Sequence, residues 1–369
     1  MRVQDKFIVR STAAFIGAGA LLTLSACGPK EKPATETPEP AVAATPAAEE
    51  PKAEEAPAEE PKAEEAPAEE PAAEPAAPAA KVPEGSFAVG TFNLEWAFDA
   101  IEDKRPKKAQ PNVPKTDEEW EWKRDRIVEV LVAERLDVVV LTELGGEREL
   151  SDIVTEITVK DGYDYSYAWV ESSDKFTGQD VGIISRYPIE NERRYEDTSV
   201  TKHVAADIEL PGEQWVTVIA VQFKEGKFKG SVDRRRSEAK SIKRFVKKEQ
   251  RKNPVIIAGT LGSPITPDAD DYKDSAPGIL TSKGCTDSAS ESSARGVTVS
   301  GGEALDRVIV CGLKLESAEV AGQGQIKRGD TDPDSTPWVE IPVDDGAKRD
   351  VSDHYLLWSQ VEIPKKAAG

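Results

Sequence analysis

The sequence is poor in the residues that would mark several common architectures. Its 369 residues hold three cysteines and two histidines. Past Cys27 only Cys285 and Cys311 remain, so the rest of the chain can form a single internal bridge. Long apolar runs are missing too: after residue 24 no segment approaches the ~18 residues that a membrane-spanning helix needs. Positive charge is scarce, with 48 Lys and Arg against 68 Asp and Glu and a net charge of −20. The deficit is uneven along the chain. Residues 1–27 carry Arg2, Lys6 and Arg10 against Asp5, residues 28–80 carry a balance of −10, and residues 81–369 keep −12. That balance disfavours bulk nucleic acid as a partner, because such binders present a basic face. It leaves room for an enzyme with a local basic patch.

Residues 28–82 lack aromatic residues, and their Ala/Pro/Glu-rich run cannot offset the entropy of ordering a chain. Within it Glu49 to Ala58 (EEPKAEEAPA) recurs as Glu59 to Ala68, with a shortened copy from Glu69. Regular Pro breaks a helix, and repelling Glu extends the chain, so the segment reads as a disordered, partly polyproline-II tether. Ahead of it, residues 1–27 read as an export signal: a positive start, then an apolar, small-residue-rich stretch from Ala13 to Leu24. The signal ends in Leu24-Ser25-Ala26-Cys27, which resembles the lipobox of bacterial lipoproteins. The resemblance implies lipid on Cys27 and a cell-envelope location, inner or outer membrane, with the membrane as a partner. Each buried methylene contributes ~0.8 kcal/mol to such an anchor. In an oxidising envelope Cys285 and Cys311 have two states open to them. One is a bridge closing a loop of about 26 residues, worth roughly 3 kcal/mol in the chain-entropy model. The other is a pair of buried thiols.

Residues 83–365 read as one α/β domain, long enough for a large core. Strands are expected at Phe87 to Trp96, Asp137 to Leu144, Tyr163 to Val170, Val181 to Ile184, Val255 to Ala258, Arg307 to Val310 and Tyr355 to Val361. Val204 to Leu210 and Trp215 to Phe223 flank Pro211-Gly212-Glu213-Gln214 and read as a hairpin. Helices are expected from Thr116 or Asp117 to Arg135, at Glu149 to Ile157 and over Arg234 to Lys252. Buried apolar strands mixed with hairpins and helices point to two sheets with helices outside them.

Several strands end in a polar residue where the apolar run stops: Asn93, Glu143 and Asp306, with Ser352-Asp353-His354 before the last strand. Such groups converge at one sheet edge, where α/β proteins build sites. A carboxylate and an amide there suit Mg²⁺ or Mn²⁺, and a His beside an Asp suits proton transfer or phosphoryl contact.

In order, TFNLEW, VVLTELGG, QDVGIISRYPI, VTVIAVQFK with RRRSEAKSI, VIIAGTLGSP, ALDRVIV and SDHYLLW resemble the endonuclease/exonuclease/phosphatase superfamily from about Ser86 to Ile363. The resemblance implies a four-layer sandwich, with two mixed sheets packed between helices, and divalent-metal phosphoester hydrolysis. It makes Glu143 the metal ligand with Asn93 beside it, and Asp353 an aid at the metal or in the network. His354 becomes the phosphate contact, oriented by Asp306. Two positions depart from the family block Gly-Asp-(Phe/Leu)-Asn-Ser. Thr260 replaces the Asp that orients the nucleophile, and Gly262 replaces the phosphate-binding Asn. Gln222 stands where many members carry His. Losing a positioned base commonly costs about 10²–10⁴-fold. Asp268, Asp270 and Asp271 offer a substitute carboxylate, with a solvated turn as the plainer reading. Lys224, Lys227, Lys229 and Arg234 to Arg236 offer a phosphate patch or a solvated helix start. His203 reads as structural. Two functions follow: a metal-dependent phosphoesterase, or a degenerate member that binds or serves as a surface lipoprotein.

The lipobox generates one expectation. Cys27→Ser abolishes membrane association in cell fractionation and leaves the domain folded; a mutant that stays with the membrane contradicts the lipoprotein reading.

Overall fold

Side chains alternate across a strand with period two, and in β1 (Ser86–Ala97) both faces are apolar. Phe87 and Val89 enter one core while Ala88, Phe92 and Leu94 enter another. A strand apolar on both sides must be covered on both sides, and the rest of the chain supplies the covers. The structure, a computed structural model, describes residues 83, 85–100, 113–114, 116–162, 164–197, 199–290, 298–299, 303–321 and 352–363. All lie within the compact unit Ala72–Gly369. The expected signal peptide (1–27) and tether (28–82) lie outside these residues. Among the described residues no helix is long and apolar enough to cross a membrane.

β1 sits inside a six-stranded mixed sheet. It pairs parallel with β2 (Val138–Leu144) and antiparallel with β12 (Leu356–Glu362); β4 (Asp180–Ser185), β3 (Ser166–Trp169) and β11 (Leu315–Ala321) complete the sheet. A second six-stranded sheet runs β5 (Ile189–Arg193), β6 (Lys202–Leu210), β7 (Gln214–Gln222), β8 (Val255–Thr260), β10 (Asp306–Cys311) and β9 (Cys285–Asp287), with β7 and β8 parallel. The sheets face each other. Val138, Val140, Val181 and Ile183 of the first share one core with Val204, Val218, Ile256 and Val308 of the second. Outside the first sheet lie α1 (Asp117–Glu134) and α2 (Glu147–Asp161), whose Ile127, Leu131, Leu150 and Ile153 pack on Phe92 and Leu141. Outside the second lie α3 (Lys229–Glu249) and the short α4 (Ala276–Thr281), with Ala239, Ile242, Phe245 and Leu280 on Ile219 and Ile257. These are the four layers expected from the sequence. Each fully buried aliphatic or aromatic side chain contributes about 1.5–3 kcal/mol.

Local chemistry sets the helix ends. Thr116 caps α1, its hydroxyl accepting from the Glu119 amide at 3.2 Å, and α2 stops at Gly162 in the left-handed region, which glycine adopts without a Cβ clash. α2 is longer than expected because Glu147, Arg148 and Thr158 to Asp161 continue the helix beyond its apolar stripe at both ends. α3 begins at Lys229, ahead of the expected Arg234. β5, β9 and β11 are short or polar strands with too little apolar pattern to be expected from the sequence.

Of the two states open to the cysteines, the bridge is the one formed. Cys285 and Cys311 sit opposite each other on β9 and β10 and are disulfide-bonded, with Cα atoms 4.1 Å apart. Cys285→Ala with Cys311→Ala is expected to cost about 3 kcal/mol by relaxing the unfolded chain. Urea unfolding measures this; an unchanged midpoint contradicts a stabilising bridge.

Candidate active site

The period-two rule that builds the inner core also builds the site. On each central strand, the position one step beyond the last apolar inner-face residue is polar. Asn93 comes two steps past Val89, while Thr142 comes one step past Val140, Gln222 one past Ala220 and Thr260 one past Ala258. Running the other way, Gln179 precedes Val181, Lys202 precedes Val204 and Asp306 precedes Val308. All seven are buried. They close one end of the space between the sheets.

Glu143 breaks the rule and joins them. Were β2 regular, residue 143 would face the helices as Leu141 does. Its φ is +62°, and the pairings of β2 with β1 and β4 slip between Thr142 and Leu144. This is a β-bulge, which re-aims one side chain. β1 answers with Glu95 and Trp96, also at positive φ, held by Asn93, whose Oδ1 accepts from the Glu95 amide at 2.9 Å, and by buried Lys123, which donates to the Glu95 carbonyl. Non-glycine residues at positive φ are costly and gather at functional sites.

The Glu143 carboxylate accepts four N–H bonds. Oε1 takes Asn93 Nδ2 at 3.0 Å and Gln222 Nε2 at 2.9 Å; Oε2 takes Gln179 Nε2 at 2.7 Å and the Trp96 amide at 3.2 Å. Lys202 donates to Gln179 Oε1 at 2.6 Å and backs this network with positive charge. Asn93 thus meets Glu143 through its amide nitrogen, and its oxygen is spent on Glu95.

Beside it lies a second network. His354 Nδ1 is 2.6 Å from Asp306 Oδ2, and Thr260 Oγ1 donates to Asp306 Oδ1 at 2.7 Å. Ser352 ties the loop down by donating to the Asn93 carbonyl at 2.6 Å and accepting from the His354 amide at 2.9 Å. Burial alone would favour neutral imidazole. The charge and hydrogen bond of Asp306, followed by the charges of Asp353 and Glu143, outweigh it and raise His354 to about 10. His354 is therefore an imidazolium at neutral pH. Its Nε2 lies 3.6 Å from Asp353, too far for a hydrogen bond.

No protein-family model and no curated protein matches the chain. Solved structures do. An endonuclease/exonuclease/phosphatase from Beutenbergia cavernae aligns at a TM-score of 0.50 and 17% identity, over 78% of this chain and 74% of its own. One from Bacteroides vulgatus aligns at 0.50 and 15%, over 76% and 99%. Beta toxin from Staphylococcus aureus aligns at 0.50 and 18%, over 74% and 99%. The chain has the endonuclease/exonuclease/phosphatase fold.

Within this endonuclease/exonuclease/phosphatase fold, Asn93, Glu143, Thr260, Asp306, Asp353 and His354 share one end of the sandwich. Gln179, Lys202 and Glu225 join them there without having been read from the sequence. Gln179 and Lys202 carried a signal, the polar position one step before an inner-face apolar pair; Glu225, in the loop after β7, carried none. Burial of its carboxyl and the charge of Glu143 hold Glu225 up at about 7.

Where the sequence left two readings open, the structure takes the plainer one. Asp268, Asp270 and Asp271 are exposed, and Asp268 accepts from Thr266 at 2.6 Å within its own turn. The basic run is spent on structure: Arg234 pairs with Glu238, Arg235 donates to the Lys224 and Gly226 carbonyls, and Arg236 donates to the Asp274 carbonyl. Lys227 and Lys229 are highly exposed and pair with Glu303 and Asp233. His203 is structural as expected, with Tyr195 backbone partners and burial holding it down at about 4. Gly262 sits at φ +59°, and a Cβ there would meet Arg235 Cδ and the Lys224 carbonyl oxygen at 3.3 Å. It points at the β7–α3 loop rather than into open space.

The donors fit a hard divalent cation. Among the described residues no group of three His, Cys, Asp or Glu converges, but Mg²⁺ typically keeps several waters and takes one or two carboxylates. Glu143 supplies one. Gln222 Oε1 is a buried oxygen with no hydrogen-bond partner, the kind of atom that a cation or its water satisfies.

The raised His354 pKa gives a signed expectation. Its stabilisation is complete below about 6.5, the ordinary imidazole value, and is lost as pH rises to about 10. Urea midpoints of the wild type should fall across that window more steeply than those of Asp306→Asn; parallel slopes contradict the ion pair.

Proposed function

We propose that this protein is an envelope-anchored, phosphoester-directed member of its fold that turns over slowly. The observation that carries the reading is the meeting of Glu143 with the Asp306–His354 pair at one end of the inter-sheet core. Mg²⁺ or Mn²⁺ held at Glu143 would supply Lewis-acid stabilisation of a phosphoryl oxygen.

The chain's own groups do the rest. Asp306 fixes His354 through Nδ1 and keeps it protonated, so Nε2–H, unbonded to Asp353, points a charged donor toward a phosphoryl oxygen. Asn93, Gln179, Gln222 and the Trp96 amide hold the Glu143 carboxylate without rearrangement at the moment of reaction. Water activation is the weak step. Thr260 occupies the position from which a carboxylate would align water, and its hydroxyl proton is already given to Asp306. A neutral hydroxyl engaged in this way does not act as a base. The same Thr260–Asp306 bond favours the second reading, a domain that binds phosphoesters without turnover. Net charge disfavours bulk nucleic acid; a small phosphoester or a lipid headgroup suits an acidic, membrane-tethered domain.

Thr260→Asp tests this. Gly262 is left alone, since a side chain there presses on Arg235 and the Lys224 carbonyl. With Mn²⁺ and bis-p-nitrophenyl phosphate, hydrolysis should rise by about 10²-fold, the lower end of general-base effects, and His354→Ala in that background should remove the gain. A wild type already fast, with no gain from Thr260→Asp, contradicts the slow-turnover reading. Substrate binding with no hydrolysis by either protein establishes the binding reading instead.

A further inference from the structure

Among the described residues only three large apolar side chains are highly exposed, Val159, Phe176 and Phe228, at 73, 87 and 84%. A single exposed apolar residue is ordinary. The two phenylalanines are not scattered: both lie on loops at the site end of the sandwich, one on each side of the site. Phe176 is on the loop 171–178 that leads into Gln179. Its amide donates to Asp174 Oδ1 at 2.9 Å, and Asp174 pairs at 3.3 Å with Lys202, the lysine behind Gln179 and Glu143. Phe228 ends the loop that follows Gln222. Its neighbour Lys227 pairs with Glu303 at 2.6 Å, the Glu303 carbonyl accepts the Val299 amide at 3.1 Å, and Val299 bridges to His354. One ring is thus on the Glu143 side and the other on the His354 side. Four exposed lysines accompany them: Lys175, Lys224, Lys227 and Lys229. Lys227 and Lys229 meet Glu303 and Asp233 in solvent, where an ion pair is worth little, so both ammoniums stay available to another anion.

We propose that Phe176, Phe228 and these lysines dock the site end of the domain onto an anionic lipid bilayer, which brings lipid-headgroup phosphoesters to the site. The inference rests on the envelope anchoring proposed above and names the surface that the anchored domain turns to the membrane. Exposed aromatic rings bury in the headgroup boundary while lysines meet anionic lipid. Single-stranded nucleic acid also stacks on aromatic rings, but it needs a basic groove that tracks its backbone. Here the lysines are interleaved with Glu225 and Asp233. The tether permits the orientation. β1 runs from Ser86 toward Asn93, so residues 28–82 join the sandwich at the end away from the site, roughly 23 Å off at ~3.3 Å per residue. As the extended spacer expected from the sequence, residues 28–82 reach up to ~170 Å. That length lets the site end face the membrane.

The test uses the chain from residue 27 onward with Cys27→Ser, which lacks lipid and contains the whole compact unit Ala72–Gly369. Sedimentation measures its binding to vesicles of equal parts phosphatidylcholine and phosphatidylglycerol, and to vesicles of phosphatidylcholine alone. The mixed vesicles are expected to bind it more tightly. Phe176→Ser and Phe228→Ser should each weaken that binding by about 10-fold, with melting temperatures unchanged because both rings are in solvent. Val159→Ser, near the C-terminal end of α2, should leave binding as it was. A parent chain that ignores the mixed vesicles, or a double phenylalanine variant that binds them equally, overturns the inference. Binding of an oligothymidine that the double variant loses, with vesicles ignored, also overturns it and assigns the rings to single-stranded nucleic acid. Hydrolysis of soluble bis-p-nitrophenyl phosphate by Thr260→Asp needs no bilayer, so the phosphoester reading is tested separately.

Discussion

The site hangs on the bulge at Glu143. A residue at φ +62° in the middle of a sheet costs about 1–2 kcal/mol of backbone strain, and a carboxylate with its back to a hydrophobic core costs more unless it is bonded. Four N–H donors offset both terms, and hydrogen bonds to a charged acceptor are worth roughly 1.5–3 kcal/mol each. The donors come from β1, the approach to β4 and β7, so the bulge draws both sheets onto one carboxylate. The companion distortion at Glu95 and Trp96 is held by Lys123 from α1. The strain is therefore shared by three layers of the sandwich.

Charge at this end of the sandwich is arranged rather than minimised. Three carboxylates, Glu143, Asp306 and Asp353, bear on His354, with Lys202 behind Gln179, so the acidic side is in excess. Proteins accept such local frustration where function needs it. Thr260 moderates the excess: a carboxylate there would press directly on Asp306, whereas the hydroxyl donates to it at 2.7 Å. What the hydroxyl gives to stability it withholds from water activation.

Much of the architecture was legible from pattern alone. Apolar strands such as VVVLTEL and VIIAGT, and the Pro211-Gly212 hairpin, announced the sheets because burial on both faces leaves no polar alternation. Asn93, Glu143, Asp306 and His354 were legible because polar groups at the ends of apolar strands have few other reasons to be there. Three things were hidden. Edge strands β5, β9 and β11 carry too little apolar pattern for period-two reading. The bulge at Glu143 arises from pairing slips with two neighbouring strands, which no single segment encodes. Glu225 sits beside Gly262 because Arg235, ten residues on, grips the carbonyls around it, and because Gly262, on another strand's end, has no side chain in that space. Both are long-range facts, and in the sequence Arg235 reads as part of a basic run.

The central claim is that Glu143, aimed inward by its bulge, anchors a divalent cation between the sheets. Anomalous diffraction from Mn²⁺-soaked crystals of the protein tests it most directly. The account predicts one strong manganese peak in direct coordination with Glu143, at the end of the inter-sheet core beside His354 and Asp306. A saturating soak that leaves that position empty, or that places manganese only on the exposed Asp268–Asp271 turn, would contradict it.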